Sequence, residues 1–322
     1  MCIRDRDRTG LILDIFALHA QSKEASLQVE LAMSVYLKPR LAGLGKTLNQ
    51  QGGGIGTRGP GETKLETDSR LIDNRINKLK KGLKKIEKQR DVQSSSRERN
   101  NIPMISIVGY TNAGKSTLLK KLTNSDAYAA DELFATVDSL QRELKIKDVQ
   151  EALIISDTVG FIQNLPTTLI ESFKSTLMVA TNADLLVHVV DAATALPEMH
   201  INTVSTILEQ IEAKSNEIMV FNKIDKIDKA SLNHLQDSYP QALFVSSLKG
   251  EGIVELKEKI AVEVYGITSV NSFKVNPSEL DTIAKFGKIL NVKNESDYLV
   301  LELEMREKLI SRLLEHKIME KN

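Results

Sequence analysis

Hydrophobic positions in the first third of the chain repeat every three or four residues, which indicates helices. Five apolar residues spaced four, three, four and three apart form the pattern of a coiled-coil seam: Ile72, Ile76, Leu79, Leu83 and Ile86. An earlier run has similar spacing: Leu27, Leu31, Val35, Leu37, Leu41, Leu44 and Leu48. The glycine-rich segment 51–61 between them cannot be helical, because each glycine costs about 1 kcal/mol in a helix. We therefore predict an antiparallel helical hairpin over residues 22–100, whose tip is either a flexible turn or a binding loop.

From residue 101 to about residue 266, short apolar runs alternate with amphipathic segments. The predicted strands are Met104–Val108, Ala152–Ser156, Asp184–Val190, Glu217–Phe221 and Ala242–Val245. The predicted helices are Lys115–Thr123, Thr167–Ala180, Met199–Ala213 and Ile253–Val264. Because continuous apolar runs are typical of parallel strands buried on both faces, this alternation predicts a doubly wound, mostly parallel α/β sheet.

The two ends of the chain differ from this central pattern. Residues 267–322 predict a small α+β region, with a helix near Pro277–Phe286, a strand near Tyr298–Glu304 and a polar, frayed end. At the other end, Met1–Arg8 alternates arginine and aspartate before a segment that begins in mid-fold. We expect the natural chain to begin further upstream, and residues 1–21 to be the remnant of a truncated N-terminal domain.

Composition excludes several classes of protein. A single cysteine rules out an intramolecular disulfide and Cys-rich zinc sites, and the five histidines show no metal-ligand spacing. No apolar run approaches the length of about 18 residues that a membrane helix needs. With 322 residues, about two domains are expected. These features predict a cytoplasmic protein without a membrane partner, and we expect a monomer.

The balanced total charge conceals two opposite halves. Residues 1–100 hold 20 Lys and Arg against 12 Asp and Glu, whereas residues 101–322 hold 23 against 31. Within the second predicted helix, residues 70–99 carry 11 against 4. This asymmetry is the one expected if a basic arm docks on RNA. Its lysines Lys80, Lys81, Lys84, Lys85 and Lys88 are equally compatible with a solvated helix face.

The segment Gly109–Ser116 (GYTNAGKS) follows an apolar strand and opens a helix, which is the context of a phosphate-binding P-loop. Its glycines allow backbone N–H groups to close around phosphate oxygens, and the helix N-terminus adds its positive dipole end. In this reading, Lys115 reaches the β- and γ-phosphates and the Ser116 hydroxyl binds Mg²⁺. Asp157, at the end of the next apolar strand, would hold the same Mg²⁺ through water, and the Gly160 N–H would face the γ-phosphate.

A third motif, Asn222-Lys223-Ile224-Asp225, follows another apolar strand and predicts guanine recognition. Guanine presents two adjacent N–H donors that the Asp225 carboxylate can accept together, whereas adenine would leave a buried carboxylate unpaired. We expect Asn222 to tie this loop to the P-loop and the Lys223 stem to lie on the base. The loop that begins at Ser246 and Ser247 is placed to meet the guanine oxygen.

In this order, the motifs resemble the translation-factor-related class of P-loop GTPases. Within that class, four segments are similar to the HflX family: Gly53–Asp68 (GGIGTRGPGETKLETD), Gly109–Ser116, Leu133–Asp138 (LFATVD) and Asp157–Ile162 (DTVGFI). The resemblance implies a GTPase that binds the large ribosomal subunit through ribosomal RNA and splits or rescues ribosomes under stress. It also implies that Thr136 is the switch I threonine that senses the γ-phosphate and Mg²⁺.

Together, the motifs and the resemblance predict one set of residues that contact GTP or GDP. The set is Gly109, Tyr110, Thr111, Asn112, Ala113, Gly114, Lys115, Ser116, Thr117, Thr136, Asp157, Gly160, Asn222, Lys223, Asp225, Ser246 and Ser247. Ser116, Thr136 and Asp157 are its Mg²⁺ ligands, the last through water. Candidate RNA contacts are Lys46, Arg58 and Lys64, with solvated tip charges as the alternative.

The sequence departs from the family at two points, and a further position differs from GTPases in general. Ser139-Leu140-Gln141 follows Asp138 where the family tends to have Pro-Thr-Thr, and only the tail of the usual N-terminal α/β domain is present. Phe161 occupies the position where many GTPases carry the glutamine that orients the attacking water. Either an external group, such as one from the ribosome, orients this water, or Gln163 swings in. We assign no catalytic base and expect Phe161→Gln not to reduce intrinsic turnover.

Two other functions fit the same sequence. In one, the protein is a signalling or scaffold module whose coiled coil binds a protein partner under the control of GTP. In the other, this shortened chain hydrolyses GTP but does not act on ribosomes.

Overall fold

The computed structural model of the chain describes residues 7–49, 60–99, 102–124, 141–146, 149–158, 160–163, 173–284, 286–295, 297–315 and 318–321. Within these ranges, the side chains of 41–49, 60–65, 90–91, 93–99, 149–152, 174–176 and 321 are not described.

The N-terminal part is helical and contains α1 (Arg8–His19), α2 (Lys23–Asn49) and α3 (Pro60–Arg99). Helices α2 and α3 pack through Leu31, Ile76 and Leu79, all nearly fully buried, with the predicted seam positions around them. An ion pair joins Glu30 to Arg75, and Leu27 lies beside Gly82, so the two helices run in opposite directions. The predicted antiparallel hairpin is therefore present, while residues 50–59, between the two helices, lie outside the described residues.

In the described residues of the central part, helices and strands mostly alternate. They are β1 (Met104–Gly109), α4 (Lys115–Thr123), β2 (Gln141–Ile146), β3 (Val149–Asp157), α5 (Lys174–Thr181), β4 (Leu185–Asp191), α6 (Pro197–Gln210), β5 (Asn216–Asn222), α7 (Lys229–Ser238), β6 (Leu243–Val245) and α8 (Ile253–Tyr265). The six strands form one sheet in the order β2-β3-β1-β4-β5-β6. Every neighbouring pair is parallel except β2 with β3, which confirms the predicted mostly parallel α/β fold.

The C-terminal part contains β7 (Thr268–Val275), α9 (Leu280–Ile283), β8 (Lys288–Asn294), β9 (Leu299–Arg306), α10 (Glu307–Glu315) and β10 (Met319–Lys321). Its strands form an antiparallel sheet in the order β10-β7-β9-β8. Buried residues of this sheet and of α10 belong to the same hydrophobic cluster as the core of the central sheet. Arg306 adds a polar connection, donating to both carboxylate oxygens of Glu258 on α8.

Some sequence-based predictions of elements were wrong. The end of the chain is not frayed, because α10 buries Leu309, Ile310 and Leu313. The helix predicted over 277–286 is reduced to a short turn followed by α9. Strand β2 and helix α7 were missed, because one is a mostly exposed edge strand and the other buries no residue, so neither has a strong apolar pattern. The predicted division into four domains stays a prediction.

The burial of α10 makes a prediction about stability. Leu313 is 2% exposed, so Leu313→Ala should lower the free energy of unfolding by about 2–5 kcal/mol through lost burial and a residual cavity. Ser311→Ala, at an exposed position of the same helix, should change it by less than about 0.5 kcal/mol. Denaturant titration of both variants measures the difference. Equal, small effects would mean that α10 does not contribute to the core.

Candidate functional site

Four strand ends meet at one edge of the central sheet and define the candidate site. Because β1, β3, β5 and β6 are parallel, the residues at or just after their carboxyl ends lie along the same edge. Such an edge is where ligands bind in open α/β sheets. The residues concerned are the ones that carry the three sequence motifs.

The P-loop turn depends on two glycines whose missing side chains make room for its neighbours. A Cβ at Gly109 would lie 2.3 Å from the Val189 carbonyl oxygen of β4. Gly114 has a φ of +91°, and a Cβ there would lie 2.3 Å from Nδ2 of Asn222. Any other residue at either position would displace the loop from the strands behind it.

Lys115 occupies the interior of this turn. Its side chain is buried, and its ammonium donates to the carbonyl oxygens of Gly109 at 3.2 Å and Tyr110 at 3.1 Å. Burial, with a smaller contribution from the Lys223 charge, lowers the pKa of Lys115 to about 8 although Asp157 opposes the shift. A buried ammonium of this kind favours an incoming anion, because the anion replaces the lost solvation.

Ser116 and Asp157 face each other, as expected for residues that share one metal ion. The Ser116 hydroxyl donates to Oδ2 of Asp157 at 2.7 Å, and Oδ1 accepts from the Thr158 N–H at 2.9 Å. Asp157 is fully buried, and the Thr158 hydroxyl anchors the strand end by donating to the Ile107 carbonyl at 2.8 Å. A hydroxyl and one carboxylate fit Mg²⁺, which is held in nucleotide sites by few protein oxygens together with phosphates and water.

Asn222 joins the P-loop to the loop that follows β6. Its Nδ2 donates to the Ala113 carbonyl at 3.0 Å. Its Oδ1 accepts from the backbone N–H of Ser247 at 3.0 Å and from the Ser247 hydroxyl at 2.8 Å. The contact with the P-loop that the sequence predicted is therefore present, together with a second contact that it did not predict.

The predicted base-reading residues lie together beside this junction. Asp225 is half-buried, and one of its oxygens accepts a short hydrogen bond from the Ser246 hydroxyl. Lys223 has a left-handed backbone with a φ of 67°, and its ammonium donates to the Asn112 carbonyl at 2.7 Å. Among the residues that the structure describes, the other carboxylate oxygen of Asp225 has no donor, which leaves capacity for ligand donors.

The segment after Asp157 corrects one expectation. The Phe161 ring is 1% exposed and packs in a cluster with Val108 and Leu177, while its backbone exchanges hydrogen bonds with Gly109 and Thr111. Phe161→Gln would bury an amide in that cluster, so the expectation that it leaves turnover unreduced is withdrawn. Gln163 is exposed, with its N–H donating to the Tyr110 hydroxyl at 3.3 Å and its carbonyl accepting from Arg8 at 2.5 Å.

Several predicted residues cannot be placed in the site. Thr136 and Arg58 lie outside the described residues. Lys46 and Lys64 fall within α2 and α3, but their side chains also lie outside the described residues.

Two residues near the site were missed. Asp191, the last residue of β4, pairs with Lys223 at 2.8 Å. His200 on α6 stacks on the Tyr110 ring with centroids 3.9 Å apart, whereas the sequence showed only that the histidines lack metal-ligand spacing. A carboxylate at the end of a strand next to β5 was a usable signal for Asp191, whereas nothing in the sequence indicated the stack.

Comparison with known proteins identifies the family. Residues 19–97 match the family described as GTP-binding GTPase Middle Region, and residues 104–223 match the one described as 50S ribosome-binding GTPase. GTPase HflX of Escherichia coli is 41% identical over 90% of this chain and 68% of its own length. The chain belongs to the HflX family. The HflX protein of Caldanaerobacter subterraneus is 48% identical over 83% of this chain, which spans 61% of that relative's length.

This HflX-family chain was also compared with solved structures. The GTP-binding protein of Sulfolobus solfataricus in complex with GDP is 28% identical, covering 80% of this chain and 72% of that one, with a TM-score of 0.48. Among the helices that the structure describes, none is sufficiently long and apolar to span a bilayer.

The lowered pKa of Lys115 makes a prediction about proton uptake. Well above pH 8, the Lys115 amine of the nucleotide-free chain is largely neutral. Adjacent phosphates would raise its pKa and restore the charge. Binding of Mg·GDP at about pH 9 should therefore take up close to one proton, and affinity should fall as pH rises above about 8. Calorimetry in buffers with different ionisation enthalpies measures the uptake. Lys115→Arg stays charged and should abolish it; an unchanged uptake in that variant would contradict the assignment.

Proposed function

We propose that this chain is a Mg²⁺-dependent GTPase whose nucleotide state controls its binding to RNA of the large ribosomal subunit. The observation that carries the proposal is the side chain of Asn222, which joins a P-loop to a guanine-type base-reading loop. Membership of the HflX family supports the same activity. On this account the full set of predicted nucleotide contacts stands, including Thr136.

The chemistry follows from the residues at the sheet edge. The Lys115 ammonium exchanges its carbonyl partners for β- and γ-phosphate oxygens, and the backbone N–H of Gly160 faces the γ-phosphate. Ser116, and Asp157 through water, would hold Mg²⁺, and the ion would supply positive charge beside the transferring phosphoryl group. Water then attacks the γ-phosphorus, and the bond to the β–γ bridging oxygen breaks to give GDP and phosphate.

The group that orients this water is best supplied by the ribosome. The Phe161 ring is packed in the core, and both backbone groups of Gln163 are engaged, by Tyr110 and Arg8. For the backbone of Gln163 to move toward the γ-phosphate, both contacts would have to break. This favours the first of the two explanations, in which hydrolysis is slow until a ribosomal group completes the site.

A packed cluster supports communication between the nucleotide and the helical arm formed by α1–α3. One hydrophobic cluster contains Ile12, Leu13 and Phe16 of α1. The same cluster contains Ile162 and Phe173, which both follow Gly160 in the chain. The Phe16 and Phe173 rings pack edge to face at 4.9 Å. Movement of this segment on hydrolysis would disturb the cluster and with it the arm.

The exposed face of α3 supports RNA as the arm's partner. Its lysines Lys78, Lys80, Lys81, Lys84, Lys85 and Lys88 are all exposed. Within the described residues, none of the six forms an ion pair with a carboxylate, so their charge is available to phosphates. A protein-binding scaffold remains the competing function, and salt dependence distinguishes the two.

The base-reading assignment makes a prediction about nucleotide preference. Asp225→Asn should weaken GTP binding by about 100-fold or more, because an amide cannot accept both guanine donors. The same variant should favour xanthosine triphosphate, whose 2-oxo group pairs with an amide N–H. Competition titrations with both nucleotides measure the change. Asp237→Asn, at an exposed position on α7, is the control, and an unaltered preference in Asp225→Asn would refute the assignment.

The ribosomal assignment makes a prediction about co-sedimentation. With a non-hydrolysable GTP analogue, the chain should pellet with large subunits, and the bound fraction should fall steeply with salt. Lys84→Glu with Lys85→Glu should weaken pelleting, whereas Lys229→Glu, an exposed charge reversal on α7, should not. No pelleting at low or moderate salt would exclude this function, and salt-insensitive binding would favour the scaffold.

A further inference from the structure

Asp191 forms a fixed ion pair beside the base-reading loop. It is the last residue of β4 and lies opposite Asn222 in the register of β4 and β5. Its Oδ1 accepts from the Ala193 N–H at 2.9 Å, and its Oδ2 accepts from the Lys223 ammonium at 2.8 Å. The side chains are 15% exposed for Lys223 and 23% for Asp191, so solvent screens the pair only in part.

The same ammonium is also bound to the P-loop. Lys223 donates to the Asn112 carbonyl at 2.7 Å, and a Cβ placed on Gly114 would lie 3.7 Å from its Cε. The apolar stem of Lys223 therefore runs along the P-loop and is fixed at both ends. The left-handed backbone at Lys223 fits a conformation that the surroundings impose, since residues other than glycine rarely adopt it.

We propose that Asp191 is a positioning residue for the purine ring, which acts by holding the Lys223 stem in place as an apolar platform. The inference rests on the proposed binding of GTP and deepens it. A free lysine side chain loses considerable rotamer entropy when it is ordered, and that loss weakens binding if it occurs together with binding. Asp191 orders the stem beforehand.

This role differs from that of Asp225 in what it selects. A methylene stem contacts the face of a ring and cannot distinguish the groups on its edge. Asp191 should therefore raise the affinity for any purine nucleotide in the site without changing the preference among bases. Asp225, which would accept the edge donors, should instead determine the preference among bases.

Charge provides a second way to separate the roles. The Lys223 ammonium donates to the P-loop carbonyl of Asn112, and the carboxylate of Asp191 offsets its charge. Removal of this carboxylate leaves more positive charge at the P-loop. In a variant that lacks the Asp191 carboxylate, the affinity for phosphate groups should therefore stay equal or increase, while the affinity for the purine ring decreases.

The experiment compares Asp191→Asn with the wild-type chain by calorimetry, using Mg·GDP, Mg·IDP and Mg·pyrophosphate. We expect affinity for GDP and for IDP to fall by the same factor, about 10-fold, because a charge-assisted hydrogen bond is lost. Pyrophosphate, which has no ring, should bind equally well or more tightly. Unchanged GDP affinity, an altered ratio of GDP to IDP, or an equal loss for pyrophosphate would each overturn the inference.

A second variant tests whether Asp191 acts through Lys223. Lys223→Met keeps an apolar stem without the ammonium, so adding Asp191→Asn to it should cause no further loss of GDP affinity. Fully additive losses would overturn the inference. Asp237→Asn is the matched control and should leave GDP affinity within about twofold. If the wild-type chain binds pyrophosphate but not GDP, the proposed function fails first, and this inference with it.

Discussion

The side-chain amide of Asn222 is the contact on which the site depends. Its Nδ2 donates to the P-loop at Ala113, and its oxygen accepts from both donors of Ser247, so this one residue connects the P-loop, the loop after β5 and the loop after β6. The amide lies so close to Gly114 that no side chain is possible there. Buried polar groups that are fully hydrogen-bonded fix a unique arrangement, whereas partly bonded ones are costly. The site therefore forms as one unit or not at all.

A second constraint connects this unit to the rest of the chain. The segment after Gly160 belongs to the site through its backbone contacts with the P-loop, and to the helical arm through Ile162 and Phe173. A change in that segment cannot leave both sets of contacts unaltered. In the proposed function, this shared segment is what converts the presence of a γ-phosphate into a change in the arm.

Much of the fold and site was predictable from sequence because strong apolar runs end in chemically distinctive residues. Helix α4 was predicted with its observed bounds, and parallel strands necessarily bring Asp157 and Asn222 to one edge. Strand β2 and helix α7 were not predictable, because their apolar pattern is weak. The burial of Phe161 and the stacking of His200 on Tyr110 depend on which elements pack together, and local sequence does not determine that. Asp191 lies between these cases, since its position was inferable but its pairing with Lys223 was not.

The central claim is that the phosphate-binding and base-reading parts of the site are coupled through Asn222. Calorimetric titration of Asn222→Ala with Mg·GDP and Mg·pyrophosphate tests it most directly, with folding checked by circular dichroism. The account predicts that a folded Asn222→Ala loses affinity for both ligands, by about 10-fold or more, because the P-loop loses its anchor. A folded variant that binds pyrophosphate as the wild-type chain does, and loses only GDP affinity, would contradict it.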